Sequence, residues 1–316
     1  MRRLAFAFLL TALSFGVAPA QDWPTKPVRI VVPFAPGGAA DVWARIIAEP
    51  LSAALKPSVV IENRGGAGGM LAAAQVARAE PDGYTLLVGG LAPQILAPSM
   101  AANPGFDAIR DFVHIAYIGG PPITWVVHPA SDLRSVKDVV EQARAGKLSG
   151  YASSGVGTFG HLVVEYVSKQ QGIKLSHIPY NTAAFVDILA GRVPMGSFTW
   201  GAALGQVQGG TLRALAVTTE ARRPDVPDVP TFKELGYDLV ASTWFSLAAP
   251  KGTPPAVAQR LNREIVRILN LPDIKPRLER DAFDAKSFTP AQLTAYFEAE
   301  IARWKPIAQA AGMKPQ

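Results

Sequence analysis

The chain has 316 residues, 49% of them hydrophobic, and a formal net charge of +6. Its length allows two compact domains, and its mild charge excess shows no Lys/Arg block of the kind that would mark a nucleic-acid surface. Cysteine is absent, which excludes disulfides, thiolate catalysis, Cys-ligated metals and lipid attachment at a cleavage site.

Met1-Arg2-Arg3 is a short basic start, Leu4 to Val17 is almost wholly apolar, and Ala18-Pro19-Ala20 places small residues where signal peptidase reads them. This predicts a secretory signal peptide over residues 1–20, cleaved after Ala20. The apolar run is shorter than the ~20 residues needed to span a bilayer. The product is expected to be free in the periplasm, monomeric and not membrane-embedded. Val28 to Phe34 is a β-branched run that reads as a buried parallel strand. Ala39 to Leu55 has helical spacing, Ser58 to Glu62 reads as a strand, Asn63 to Gly69 as a loop, Met70 to Ala79 as a helix and Tyr84 to Val88 as a strand. The alternation restarts after Pro121-Pro122. Strands are expected at Ile123 to Val127, Ser149 to Ala152, up to Pro179, and at Leu212 to Val217, with helices at Ser135 to Ala145, Phe159 to Gln170 and Ala184 to Ala190. Ser242 to Ala248 reads as a strand returning to the first unit. It is followed by helices at Pro254 to Leu269, Asp273 to Glu279 and Pro290 to Ala311.

The pattern predicts an α/β protein of two lobes, with mostly parallel sheets flanked by helices. Residues 21–122 with 246–316 would form one lobe and 123–245 the other, leaving a ligand cleft between them. Three strand-to-helix junctions could bind an anion through backbone N–H groups and helix dipoles. The first is Pro36-Gly37-Gly38-Ala39-Ala40-Asp41. The second is Ser153-Ser154-Gly155 with Thr158, and the third is Tyr180-Asn181-Thr182. Gly155, Gly157 and Gly160 also match a dinucleotide fingerprint in form. The acidic residue that fingerprint needs after the next strand is missing, since His177-Ile178-Pro179-Tyr180 stand there. His161 and Glu165 lie four apart on a helix face, and two ligands do not make a metal site. No G-x-S-x-G elbow occurs, and Asp187 has no acid/base partner nearby in sequence. No catalytic residue, cofactor or metal is therefore expected.

Many of these segments together resemble the Bug-type receptors, the substrate-binding proteins of tripartite tricarboxylate transporters. The resemblance runs from Trp23-Pro24-Thr25-Lys26-Pro27 through Pro36-Gly37-Gly38 and Asp41, Glu62-Asn63-Arg64-Gly65-Gly66 and Pro81-Asp82-Gly83-Tyr84. It continues in Tyr151-Ala152-Ser153-Ser154-Gly155, His161-Leu162, Pro179-Tyr180, Asp228-Val229-Pro230-Thr231 and Ala249-Pro250-Lys251-Gly252-Thr253-Pro254, so it covers essentially the whole mature chain. It implies a type II periplasmic-binding-protein-like fold that closes on a small carboxylate and delivers it to membrane permease subunits. A sensor kinase as partner and an exported hydrolase are the alternatives. By position it adds the loop containing Leu91 and Gln94 to the first-lobe contacts. Phe198 stands where the family often carries Asp, so the acidic partner for a ligand amine is missing. That departure argues against amino acids and favours a ligand whose far end is apolar or aromatic.

Overall fold

The computed structural model describes residues 23–180 and 184–311. The signal segment, Asn181 and Thr182 lie outside them. In chain order the first unit contains β1 (Val28–Val32), α1 (Ala39–Leu55), β2 (Val59–Asn63), a 3₁₀ turn at Ala67–Gly69, α2 (Met70–Ala77) and β3 (Thr85–Gly90). A π-turn at Ala92–Leu96 runs into α3 (Ala97–Met100), and β4 (Phe112–Gly119) follows. The second unit has β5 (Ile123–Val127), α4 (Val136–Arg144), β6 (Gly150–Ser153), α5 (Phe159–Gln171), β7 (Ser176–Pro179), α6 (Phe185–Leu189), β8 (Met195–Thr199), α7 (Trp200–Gln208) and β9 (Arg213–Val217). The chain then returns through β10 (Phe245–Pro250) to α8 (Pro255–Leu269), α9 (Lys275–Arg280) and α10 (Pro290–Ala310).

Two five-stranded sheets result, ordered β2-β1-β3-β10-β4 and β7-β6-β8-β5-β9. In each, one strand runs against the other four: β10 in the first sheet and β5 in the second. Each reversed strand is the one by which the chain enters from the other unit. The two connections lie side by side, with Thr243 N–H donating to Pro121 O at 2.8 Å and Pro122 bridging Ser242. No side chain fits at Gly120, where a Cβ would sit 1.6 Å from Thr243 O.

Helix α10 holds the units together from behind this crossover. Its start is fixed by a reciprocal cap between Thr289 and Gln292. Its buried face, Leu293, Phe297, Trp304 and Ala308, joins a core shared with Trp125 and Phe159 of the second unit and Tyr117 and Ile95 of the first. Glu300 is buried in that core, and its Oε2 accepts from the indole N–H of Trp244 at 2.8 Å and of Trp304 at 3.0 Å. Trp244 lies on the crossover itself, so this carboxylate pins the hinge to α10. Replacing Glu300 by Ala strands two buried donors and is expected to lower unfolding free energy by about 3 kcal/mol, whereas Gln, which keeps an acceptor, should lose less than half of that. Chemical denaturation with unchanged m-values would read both.

Three imidazoles are enclosed by the fold. His114 stacks on Phe297 at 3.7 Å between ring centroids. Burial holds its pKa down at about 4, and burial likewise holds His177 at about 4; burial together with neighbouring His177 holds His161 at about 3. The unfolded chain therefore binds these protons first. Stability is fully present above about pH 6.5 and is lost as pH falls through the window down to about 4, at up to about 1.4 kcal/mol per pH unit for each imidazole. Urea midpoints measured from pH 7 to pH 4 should fall steeply, and a flat profile would show these rings to be exposed.

Candidate ligand-binding cleft

A cavity of about 970 Å³ lies between the two sheets at the ends of β1 and β6. The chain leaves β1 through Pro33 to Gly38 and enters α1 at Ala39, with Gly38 at the cap position. Gly37 has φ +82° and carries the left-handed backbone of this turn, while Gly38, at φ −74°, does not need to be glycine for conformational reasons. Across the cavity, β6 runs through Ser154 to Gly157 into α5, capped by Thr158, whose hydroxyl oxygen accepts from His161 N–H. Here Gly155 and Gly157 take φ values of +128° and +79°. The first-turn residues of α1, Ala39 and Ala40, and of α5, Phe159 and Gly160, both face the cavity. First-turn N–H groups have no partner within their own helix, and each helix start carries roughly half a unit of positive charge. The two together match about one anionic group.

No Lys, Arg, His, Asp or Glu lines this cavity among the described residues. The remaining wall is mainly apolar and aromatic, with Phe34, Met70, Met100, Tyr180, Phe185 and Phe198 prominent and Asn63, Ser197, Thr199 and Thr243 as neutral polar members. Phe198 is nearly fully buried and meets Phe185 edge-on at 5.1 Å. Its ring occupies the space beside Gly196, where a Cβ would sit 2.1 Å from Phe198 Cε2.

Of the residues singled out in the sequence, Pro36, Gly37, Gly38, Ala39, Ala40, Ser154, Gly155, Thr158, Tyr180 and Phe198 are on the wall. Asp41, Leu91, Gln94 and Ser153 are behind it. The Asp41 carboxylate turns back into its own loop and accepts from Gly37 N–H at 2.9 Å, Asn63 Nδ2 at 2.9 Å and Arg45 Nε at 3.1 Å. Burial opposes its charge, but the bonds from Arg45, Gly37 and Asn63 outweigh that and hold its carboxyl below the ordinary range. Asp41 thus shapes the Gly37 turn from behind. Leu91 is core, with its N–H donating to Trp244 O at 3.2 Å, and Gln94 folds its Oε1 onto Gly90 N–H at 2.9 Å. The segment read as a ligand loop is the π-turn, which turns these side chains inward. Tyr180 presents its ring to the cavity, but its hydroxyl donates to Asp187, which is also paired with Arg192.

Gly65 to Gly69, a loop by its sequence, form the first-lobe lip of the cavity. Gly68 touches the opposite lobe: a Cβ there would lie 2.7 Å from Val156 O and 2.8 Å from Ala97 Cβ. Gly157 reciprocates, with a Cβ position 2.9 Å from Met100 Cε and 3.0 Å from Ala97 Cβ. The lobes therefore meet over the cavity with Gly68 of the first against Val156 of the second, and Gly157 of the second against Ala97 and Met100 of the first, a closed arrangement with no room for a Cβ at either glycine. The run Gly65-Gly66-Ala67-Gly68-Gly69 was visible as a signal, but nothing in sequence indicated which side of the cleft it would meet.

The model for the tripartite tricarboxylate transporter family receptor matches residues 43–313. The chain belongs to this receptor family. Protein BugT of Bordetella pertussis is 34% identical over 313 residues, covering 97% of this chain and 96% of that relative. Among solved structures, R. palustris Rpa4515 with adipate is 32% identical with a TM-score of 0.86, covering 93% of this chain and 100% of its own. The periplasmic binding protein BugD is 31% identical, also with a TM-score of 0.86 and the same coverage. MatC from Rhodopseudomonas palustris with bound malate is 27% identical with a TM-score of 0.84, covering 90% of this chain and 100% of its own. The two-lobed α/β architecture of the receptor family is thus the architecture of this chain.

The glycine contacts give a test of closure. Gly68→Ala should cost the ligand-free protein about 1–2 kcal/mol through its left-handed backbone. By holding the lobes apart it should weaken solute binding by more than about tenfold. Calorimetry that finds wild-type affinity in this variant would remove the Gly68–Val156 contact from the closed bound state.

Proposed function

We propose that this protein is an exported solute receptor that captures one small carboxylate between its lobes and hands it to the membrane permease subunits of a tripartite transporter. The observation that carries the reading is the pairing of two helix starts with a cavity wall free of formal charge. A single carboxylate is the ligand whose charge two helix dipoles balance. Neutral donors hold it without a cationic clamp, which suits a carrier that must release its cargo. Adipate in Rpa4515 and malate in MatC, both dicarboxylates bound by similar proteins, support a carboxylate as the group that the helix starts hold.

In this reading the contacts come from Pro36 to Ala40 and from Ser154, Gly155 and Thr158, with Asn181 and Thr182 as further donors. Tyr180 and Phe198 pack against the ligand body, and Asp41 and Ser153 act only by shaping the loops. The aromatic wall at Phe185 and Phe198 suits a ligand whose far end is apolar or aromatic. The protein binds without turnover. It works as a monomer in the periplasm, released there by cleavage after Ala20. No described helix is long and apolar enough to cross a membrane. Closure follows population shift: the ligand binds the closed form better and so draws the equilibrium toward it.

A thermal-shift panel at neutral pH tests the assignment. Adipate, malate, benzoate, longer aliphatic monocarboxylates, adipamide and glutamate would be compared at matched concentration. A carboxylate with an apolar or aromatic far end should raise Tm most, and adipamide and glutamate should leave it unchanged. A largest shift from glutamate would contradict the argument from Phe198, and one from adipamide would contradict the anion.

A further inference from the structure

Behind the second-lobe wall, two histidines hold the loop that joins β6 to α5. His161 stands in the first turn of α5 and His177 on β7, and their rings stack with centroids 4.0 Å apart and planes within 10°. Tyr151, on β6, covers His177 at 5.1 Å. Gly157 N–H donates to His161 Nδ1 at 3.2 Å. Ser153 Oγ accepts from Gly155 N–H at 3.2 Å and lies 2.7 Å from His177 Nε2. Each imidazole therefore restrains one of the loop's two left-handed glycines: His161 holds Gly157 directly, and His177 holds Gly155 through the Ser153 hydroxyl.

The restraint on Gly157 needs a bare ring nitrogen, whereas the Ser153 hydroxyl can pair with His177 Nε2 in either direction. Nδ1 of His161 accepts only while unprotonated, which places its proton on Nε2, 3.9 Å from Glu165 Oε1. Ser153 already receives the Gly155 N–H, so while His177 Nε2 is bare the hydroxyl proton goes to it or to Gly155 O, and His177 is the nearer acceptor. The groups facing the pair are Glu165 from the same helix, Tyr151 from β6 and, for each ring, the other imidazole. Tyr151 OH donates to Glu165 Oε1 at 2.6 Å, and among the described residues Glu165 has no Lys or Arg partner. Burial raises the pKa of Glu165 against the lowering effect of that bond. Glu165 is the one carboxylate facing the pair, burial opposes its charge as it opposes that of an imidazolium, and two stacked imidazoliums would repel.

We propose that His161 and His177 are positioning residues of the binding cleft: as a stacked neutral pair they fix the glycine loop in the shape that presents its donors to the ligand, and acid releases it. The inference rests on the reading that this loop faces the carboxylate, but the loop's own order can be measured without any ligand. Burial, and for His161 the neighbouring ring, keep the pair neutral until about pH 4 and below. The anion cradle is therefore held intact across the neutral range and loosens only in acid.

The test is amide hydrogen exchange and ¹⁵N-imidazole NMR on the ligand-free protein. In the wild type, protection of Gly157, corrected for intrinsic rate, should fall in step with protonation of His161, while protection of Leu87 in the first sheet stays as reference. Protonation of both rings with Gly157 protection unchanged would overturn the proposal. His161→Phe keeps a stacking ring without the acceptor and should lower Gly157 protection at least tenfold at pH 7. His161→Asn keeps an acceptor near Nδ1 that cannot titrate, and it should restore protection and abolish the acid step. Wild-type protection of Gly157 in the Phe variant, or a persisting acid step in the Asn variant, would contradict the assignment. Because no ligand is present, these outcomes leave the carboxylate reading to stand or fall on the thermal-shift panel.

Discussion

Two helix N-termini, one from each lobe, face a single cavity that contains no side-chain charge among the described residues. An unpaired partial charge at a helix start is tolerable where water reaches it, and it is strengthened where water is excluded. Closing the lobes brings both starts into a low-dielectric space, and an anion between them relieves both at once. Much of the architecture can be understood as the means of aligning these two starts. The sheets place α1 and α5 at corresponding strand ends, the reversed strands β5 and β10 carry the chain across, and α10 spans the back.

The loops that present the donors are themselves held by buried polar groups that do not touch the cavity. Asp41 does this for the first lobe by accepting from Gly37 N–H and Asn63, with Arg45 as counter-charge on its outer side. Ser153 and the stacked imidazoles do it for the second. The two devices differ in kind. One is a carboxylate whose pKa its bonds depress, and the other is a neutral pair whose pKa burial depresses. In both cases charge is kept behind the loop, so the cavity wall carries no formal charge among the described residues.

Much of this was legible in the residues. The helix at Ala39–Leu55 and the strand at Ile123–Val127 match the reading to the residue, because caps and apolar periodicity are local signals. β4, β8 and α7 were not anticipated. β8 contains Gly196, whose absent side chain makes room for Phe198, and α7 begins at Trp200 with no turn residue between. For β8 and α7 a tertiary contact or direct junction replaces the local signal. The same limit explains the site. Glycine-rich helix starts announce themselves, but whether Asp41 or Ser153 turns toward the cavity or back into its loop depends on Asn63 and His177, which lie 22 and 24 residues away; Gln94 folds onto Gly90, four residues before it, because the chain makes a π-turn there. The contact between Gly68 and Val156 was likewise invisible, since it joins residues on different lobes.

In the proposed function, paired helix starts recognise a carboxylate's charge without a cationic side chain. Calorimetry at pH 7 on the carboxylate that stabilises the protein most, set against its primary amide of the same shape, measures this directly. The amide should bind at least about 100-fold more weakly, a loss of about 2.7 kcal/mol. Equal affinities would mean that the cavity selects shape alone and that the two helix starts do not act on the ligand's charge.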